Sequence, residues 1–199
     1  MALDKDRIVA EAVALLDESG LDGLTLRKLA QRLGVQAPTL YWHIRNKAAL
    51  VNAVAEAILA PELAELAPPT DGEPWREWLT GVASHLRQAM LTHPDGARVV
   101  SAAHVSPTMA GVLELAMTTL VARGLPLREA RLTVLAVQAF TIGHVLEEQS
   151  PPTQDTVADF DLAAFTERHP TTVAAISAYF KPGRTVDDLF HDILAVILR

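Results

Sequence analysis

The stretch from Leu24 to Lys47 reads LTLRKLAQRLGVQAPTLYWHIRNK, and it decides the fold of the N-terminal part of the chain. Its apolar residues recur at helical spacing and predict a short helix that begins after Thr25, which can cap it. Gly34 should end this helix, because glycine readily adopts the left-handed conformation. A second short helix is predicted to begin at Pro38, since proline suits the first turn of a helix. Two short helices joined by a glycine-containing turn form a helix-turn-helix unit.

Bases and exposed aromatic side chains concentrate in this unit. Between residues 27 and 47 there are five bases and no acid. Residues 1–47 carry seven bases against six acids, whereas the remainder carries ten against eighteen, so the net charge of −7 hides a local basic patch. Each feature alone fits ordinary packing or a solvated face. Together they predict that the second helix binds in the major groove of double-stranded DNA. Its outward face comprises Thr39, Tyr41, Trp42 and His43.

Helical spacing recurs along the rest of the chain, and strand signals are almost absent. Half of the residues are hydrophobic but only 5% are aromatic, so a core of Leu, Ala, Val and Ile in an all-α fold is expected. The predicted helices run from about residue 5 to a stop at Gly20, from a cap at Asn46 to a bend or end at Pro61, from 75 to 94, from 107 to 124, and from 126 to 149.

Loops and turns should separate these helices. The proline- and glycine-rich stretch 67–74 reads as a linker, 96–106 as a turn region and 150–156 as a loop. A helical piece should begin near Asp159, with an interruption at Pro170. Thr185 provides a capping-box-like start for the last helix.

Several protein classes are excluded by what the sequence lacks. The chain has no cysteine, which excludes a disulfide framework and a cysteine-ligated zinc site. No apolar run approaches the roughly 18 residues that span a bilayer, so we expect a cytoplasmic protein with no membrane partner. No GxSxG, P-loop or dinucleotide-binding turn occurs, and we expect no catalytic residue, cofactor or metal site. His144 and Glu147, three residues apart, could share a ligand.

The motif LDGLTLRKLAQRLGVQAPTLYWHIRNKAALVNAVAEAIL, which begins at Leu21, resembles the DNA-binding head of the TetR family. Within it, TLYWHIRNK resembles the tetracycline repressor, which gives the family its name, more than it resembles the wider family. PWREWL, DGAR, RGLPLREA and AFTIGHVLEEQ extend the resemblance to about Gln149, beyond which it fades. The resemblance implies a three-helix helix-turn-helix domain over 1–46 and a helical effector-binding and dimerisation domain over 47–199.

The resemblance also implies which residues contact DNA. Arg27 would read a base, while the outward face of the second helix and Lys47 would contact backbone or base edges. Position 37 departs from the pattern, because the tetracycline repressor has a base-reading glutamine where this chain has alanine, so a different operator is expected. The expected DNA-binding residues are Thr25, Arg27, Gln36, Ala37, Pro38, Thr39, Tyr41, Trp42, His43 and Lys47.

A homodimer is implied as well, with two helices of each subunit in the interface. Those helices should be the one from about Leu127 to Gln149 and the C-terminal one, unless their apolar stripes serve only the internal core. Two recognition helices would then lie about 34–36 Å apart, which matches a near-palindromic operator. The expected seam comprises Leu135, Phe140, Leu146, Leu189, Ile193 and Ile197.

The positions that match the family's effector pocket are mostly apolar here. Val100 stands at the position of the metal-binding histidine of the tetracycline repressor, and Mg²⁺ prefers several oxygen ligands. A small, largely apolar effector other than tetracycline–magnesium is therefore expected, unless the side chains simply fill the core. The expected lining comprises Leu63, Val82, Leu86, Val100, Ala103, His104, Leu113, Ala116, Gln138, Phe140, Thr141 and Glu147.

The best-supported function is a ligand-responsive transcriptional repressor. An activator on the same scaffold stays open, because both would bind DNA in the same way. An enzyme built on the helical body lacks any nucleophile motif. A scaffolding dimer that binds protein through the head would not need the acid-free basic stretch.

Overall fold

The structure, a computed structural model, describes residues 3–150 and 160–199. The described residues form eleven α-helices and no strand, which confirms the predicted all-α fold. The helices are α1 (Lys5–Gly23), α2 (Leu26–Leu33), α3 (Ala37–His43), α4 (Lys47–Leu63), α5 (Trp75–Leu91), α6 (Gly96–Ala102), α7 (Pro107–Ala122), α8 (Leu127–Glu148), α9 (Leu162–Arg168), α10 (Pro170–Tyr179) and α11 (Val186–Ile197).

The helix-turn-helix unit forms as its sequence predicts. The Thr25 hydroxyl caps α2 by accepting a hydrogen bond from the Lys28 amide at 3.2 Å. Gly34 ends α2 in the left-handed conformation at φ 68°, and the Val35 amide donates back to the Ala30 carbonyl at 3.0 Å. Pro38 stands in the first turn of α3, which begins one residue earlier than predicted. These bonds fix the turn that ends α2, and α3 packs against α2 beyond it.

Gly20 interrupts α1 where the sequence predicts its end, but a helical turn follows as far as Gly23. Gly20 has φ 65° and ψ −178°, a conformation that L side chains rarely adopt. A Cβ at this position would also lie 2.7 Å from the Asp95 carboxylate. Glycine is therefore required here both for the backbone turn and for the close approach of Asp95.

One predicted turn is wrong, and one helix continues two residues past its predicted bend or end. The stretch predicted as turn from 96 onward contains α6, whose first residue Gly96 is buried so close to α5 that a Cβ would meet the Met90 carbonyl oxygen at 2.1 Å. This glycine serves helix packing rather than a chain break. Likewise α4 continues through Pro61 to Leu63. Only two helical residues follow Pro61, so few backbone hydrogen bonds are disturbed.

The chain divides into two compact units, Met1–Gln149 and Ser150–Arg199. In the first unit α4 is the central element, since it packs against α1, α5, α6 and α7. The apolar residues of α4 are largely buried. Asn46 caps the start of the helix, since its side chain accepts a hydrogen bond from the Ala49 amide at 2.8 Å. No single described helix is both long and apolar enough to cross a membrane; α6 and α7 would pass only as a pair, and they are bent by 82°.

The second unit contains α9, α10 and α11. Thr185 and Asp188 form the predicted capping box at the start of α11, with the Thr185 amide donating to the Asp188 carboxylate at 2.8 Å. The chain is non-helical at His169, in agreement with the predicted interruption at Pro170. The predicted loop over 150–156 and the predicted helix start at Asp159 lie almost entirely outside the described residues.

Candidate DNA interface and effector cleft

The outward face of α3 exposes large aromatic side chains to solvent. Leu40 and Ile44 are buried, whereas Trp42 is 89% exposed and Tyr41 is 49% exposed. Thr39 and His43 are exposed beside them. An indole ring that is almost wholly exposed contributes nothing to the core, so this face is suited to contact another molecule.

All five bases in the acid-free stretch are exposed, but they differ in what they contact. Arg27, Lys28, Arg45 and Lys47 are exposed. Arg32 instead binds α1, because its guanidinium donates to Glu11 at 2.7 Å and also to Glu18. Both carboxylates raise the pKa of Arg32, and the sequence does not reveal this internal pairing. The positive charge available to phosphates is therefore carried by the other four.

The ten expected DNA-binding residues lie on α2 or its cap, on α3 or its cap, and at the start of α4. Nine of them are exposed, and the tenth, Thr25, is half-buried because its hydroxyl caps α2. Gln36 precedes α3 without a side-chain cap, and Ala37 presents only a methyl group. The short α3 helix therefore presents its first-turn residues directly to solvent.

Five of the expected effector residues line one cleft between α4, α6, α7 and α8, which we call the His104 cleft. Its volume is about 260 Å³. The polar groups are His104, Ser106 and Gln138, and the rest of the surface is apolar. No carboxylate, lysine or arginine lines it. The lining residues are Leu59, Val100, Ala103, His104, Ser106, Met109, Ala110, Leu113 and Gln138.

The deeper positions on α5 belong to a void that side chains almost fill. Val82, Leu86 and Ala116 line a space of only about 20 Å³ between α5, α7 and α8, too small for more than a water molecule. Leu113 and Gln138 line this void as well as the His104 cleft. Leu113 and Gln138 therefore separate the two spaces, and a rearrangement of these side chains would join them.

The remaining expected effector residues lie elsewhere in the first unit. Leu63 lines a separate depression of about 420 Å³ between α4 and α7. Thr141 is buried, and its hydroxyl donates to the Val137 carbonyl at 2.8 Å. Phe140 stacks against His144 with ring centroids 5.4 Å apart. Glu147 is exposed. None of these four lines the His104 cleft.

Glu148, rather than Glu147, is the carboxylate next to His144. His144 Nε2 lies 2.8 Å from Glu148 Oε1, a contact that is ionic when the imidazole is protonated. Arg87 of α5 donates to both oxygens of Glu148, at 3.0 and 3.2 Å. Arg87 and Glu148 are each only 15% exposed, so this cluster joins α5 to α8 in the interior. Among the described residues, no group of three or more His, Cys, Asp or Glu side chains is arranged to hold a metal ion.

Hydrogen bonds join α1 of the head to the start of α6. The Leu21 amide donates to Asp95 Oδ2 at 2.8 Å, beside Gly20. Arg98 donates to both oxygens of Asp22 at 3.0–3.3 Å and to Asp95 at 3.1 Å. These bonds lower the pKa of Asp22 and raise that of Arg98. Since Val100 lines the His104 cleft, one short helix touches both the head and the cleft.

Comparisons with known proteins agree with this architecture. Residues 8–54 match the model of the bacterial regulatory proteins of the tetR family, and residues 67–199 match the tetracyclin repressor-like C-terminal domain. The chain is 38% identical over 201 residues to the tetracycline repressor protein class A from transposon 1721 of Escherichia coli, covering 98% of this chain and 89% of that protein.

Two solved structures show the same fold with a bound partner. The Streptomyces coelicolor TetR family protein ActR, in complex with (S)-DNPA, matches with a TM-score of 0.83 and 28% identity, over 100% of this chain and 96% of that one. BioQ with its double-stranded DNA operator has a TM-score of 0.67 at 30% identity, over 89% of this chain and 99% of that one. Both family models together cover the helix-turn-helix unit and the body, and the chain therefore belongs to the TetR family of DNA-binding transcriptional regulators, which are not enzymes.

Proposed function

We propose that this chain is a ligand-responsive repressor that binds a palindromic operator as a homodimer. The observation that carries the proposal is the exposed α3 face, with Trp42 at 89% exposure, flanked by exposed bases. A helix of this kind fits the major groove, where Arg27 can donate a bidentate pair to guanine. Ala37 offers only a methyl group, which suits a thymine methyl rather than a hydrogen-bonding base edge.

The homodimer is supported by apolar surface on α8. Leu132 is 50% exposed and Leu135 is 36% exposed, although both occur on a helix whose opposite side is buried in the first unit. Separately, the α11 residues Leu189, Ile193 and Ile197 are half-buried. Apolar faces of this kind are typical of a helical interface between two copies. A dimer would place two α3 helices in successive major grooves.

The effector is proposed to be small, uncharged and largely apolar. The His104 cleft offers hydrogen bonds only from His104, Ser106 and Gln138, and the rest of its wall is aliphatic. Val100 supplies no metal ligand, and the wall offers only the neutral side-chain oxygens of Ser106 and Gln138 and no carboxylate, which is a poor set for Mg²⁺. The cleft volume of about 260 Å³ is slightly below the roughly 300–1,000 Å³ that is typical of ligand pockets. A larger effector could enter only if Leu113 and Gln138 moved and opened the cleft into the nearly filled void beneath it.

Release from the operator would proceed through α6. Its start is fixed to the head by Asp95 and Arg98, and the residues toward its end line the cleft. A ligand that binds one position of α6 more tightly than another shifts the equilibrium between two head spacings. Because it acts on DNA, the protein would function in the cytoplasm, with residues 1–46 as the DNA-binding domain and 47–199 as the effector and dimerisation domain.

The DNA-binding proposal is tested by selecting duplexes from random-sequence DNA with the purified protein. We expect a near-palindrome to be enriched. Arg27→Ala and Tyr41→Ala should each weaken its binding about tenfold or more. Arg168→Ala, which removes the same charge from α9, serves as the control and should leave binding unchanged. Failure to enrich any symmetric duplex, or equal binding by the Arg27 variant, contradicts the proposal.

The effector proposal is tested by thermal unfolding with two kinds of probe. Uncharged apolar compounds should include some that raise the melting temperature and release the selected duplex. Tetracycline with magnesium should do neither, and a strong stabilisation by it would overturn the proposed effector class. A reporter gene behind the selected duplex should be expressed more strongly when the chain is absent, as expected for a repressor rather than an activator.

A further inference from the structure

A second set of hydrogen bonds joins α4 to the segment between α6 and α7. Glu56 of α4 accepts from the Ser106 hydroxyl at 2.7 Å, from the Thr108 hydroxyl at 2.5 Å and from the Thr108 amide at 3.2 Å. One turn earlier in α4, Asn52 Oδ1 accepts from the His104 amide at 2.9 Å. We call the contacts of Glu56 with Ser106 and Thr108 the Glu56 latch.

The chemistry of the Glu56 latch favours a charged carboxylate. Ser106 is the cap of α7, and Thr108 lies in its first turn, where the helix dipole favours negative charge. Partial burial alone would raise the pKa of Glu56, but the hydrogen bonds from Ser106 and Thr108 outweigh it and the pKa is lowered. Hydrogen bonds to a charged acceptor are stronger than neutral ones. The latch therefore fixes α4 to α7 in one geometry.

The segment that holds α4 is also a wall of the His104 cleft. Ala103, His104 and Ser106 all line the cleft. At its other end α4 follows α3 after only a short connection and packs against α1 of the head. The 17 residues of α4 form a rod about 25 Å long. A displacement of the cleft wall would thus be transmitted to the head along this rod.

We propose that Glu56 is a positioning residue for operator binding, which sets the position of α4, and hence of α3, according to the geometry of the cleft wall. The proposal rests on the proposed function, because it gives a regulatory role to the same cleft. A merely structural role is the alternative, since α4 also packs through buried residues such as Leu50 and Ile58. The two roles differ in what they move: a structural residue changes stability alone, whereas a positioning residue changes head geometry and operator affinity.

The experiment compares operator affinity and head geometry in full-length variants. The duplex is the one that the wild-type protein selects from random-sequence DNA. The chain has no cysteine, so a Gln31→Cys substitution on the exposed side of α2 allows a single spin label in each head. Pulsed electron resonance then gives the distance between the two heads of the dimer. Glu62→Gln, the same charge change six residues further along α4, is the matched control.

Glu56→Ala should weaken operator binding about tenfold and broaden the distance distribution, while Glu56→Gln should have a smaller effect in the same direction. Thr108→Val should weaken binding too, and the double variant Glu56→Ala/Thr108→Val should bind no more weakly than Glu56→Ala, because both remove one interaction. If Glu56→Ala does not fold, Glu56→Gln carries the comparison. If the Glu56 variants bind the operator and space their heads within error of wild type, even at a lowered melting temperature, the proposed role of Glu56 is overturned and the proposed function is not. Enrichment of no duplex by the wild-type protein would overturn the proposed function and the latch with it.

Discussion

Glu148→Gln should destabilise the protein more than Glu147→Gln, because only the Glu148 carboxylate lies in a largely buried cluster with Arg87 and His144. Its carboxylate accepts two hydrogen bonds from Arg87 and lies 2.8 Å from His144. Breaking a fully buried pair costs about 3–5 kcal/mol, whereas an exposed pair is worth about 0–1 kcal/mol. At 15% exposure for both Arg87 and Glu148, and with the glutamine oxygen still able to accept one bond, a loss of about 2 kcal/mol in the free energy of unfolding is expected.

Thermal unfolding measures this difference directly. For a chain of this size, 1 kcal/mol corresponds to a shift of about 2–4 °C, so Glu148→Gln should lower the melting temperature by about 4–8 °C. Glu147→Gln, on the exposed side of the same helix, should shift it by less than about 1 °C. All proteins must be compared at one protomer concentration, because dimerisation adds to stability. Equal shifts for the two variants would show that the Arg87–Glu148 pair does not stabilise the contact between α5 and α8.

Three further predictions concern stability. Gly96→Ala should cost about 3 kcal/mol in urea unfolding, because its Cβ would lie 2.1 Å from the Met90 carbonyl oxygen and backbone would have to shift. Thr185→Ala should cost about 1 kcal/mol in the same assay by removing the cap of α11, while Asp188→Asn should cost less. The pKa of Glu56 is lowered in the folded protein, so its charged carboxylate contributes stability at pH values above the ordinary pKa of 4.5. This stability is lost as the pH falls through the folded pKa. The stability advantage of wild type over Glu56→Gln should therefore be present near pH 7 and be lost as the pH falls below 4.5 through the lowered folded pKa.

The helix-turn-helix unit could be predicted because its signals are local. The Thr25 cap, the left-handed Gly34 and the first-turn Pro38 each act within four residues of the chain. At Gly96 the local signal is misleading: it predicts a turn, but a helix begins there, since glycine is also used where two helices come close together. Nothing in the local sequence distinguishes a glycine that ends a helix from one that lets Met90 approach. Pro61 is tolerated for a positional reason, namely that α4 ends two residues later.

The site could be predicted only in part, for a related reason. The exposure of Trp42 and Tyr41 follows from helical periodicity, because Leu40 and Ile44 fix the buried side of α3. The partners of Glu56, and Arg87 as a partner of Glu148, are 50 or more residues away in the chain, and no periodicity reports them. Only His144, four residues before Glu148 on the same helix, is at a spacing that the helix period predicts. Glu147 and Glu148 differ by one residue, which is about 100° around a helix. That rotation places one carboxylate in solvent and the other against Arg87.

Under the proposed function, the polar contacts of α6 and α4 are the ones that would couple the His104 cleft to the distant α3 helix. A bidentate pair such as Arg98 with Asp22, or the three bonds of Glu56, is either formed or broken. Contacts with discrete arrangements convert a gradual shift of the cleft wall into a change between two states. On this proposal an effector would need little polar contact of its own, because the protein itself supplies the directional bonds on both sides of the His104 cleft.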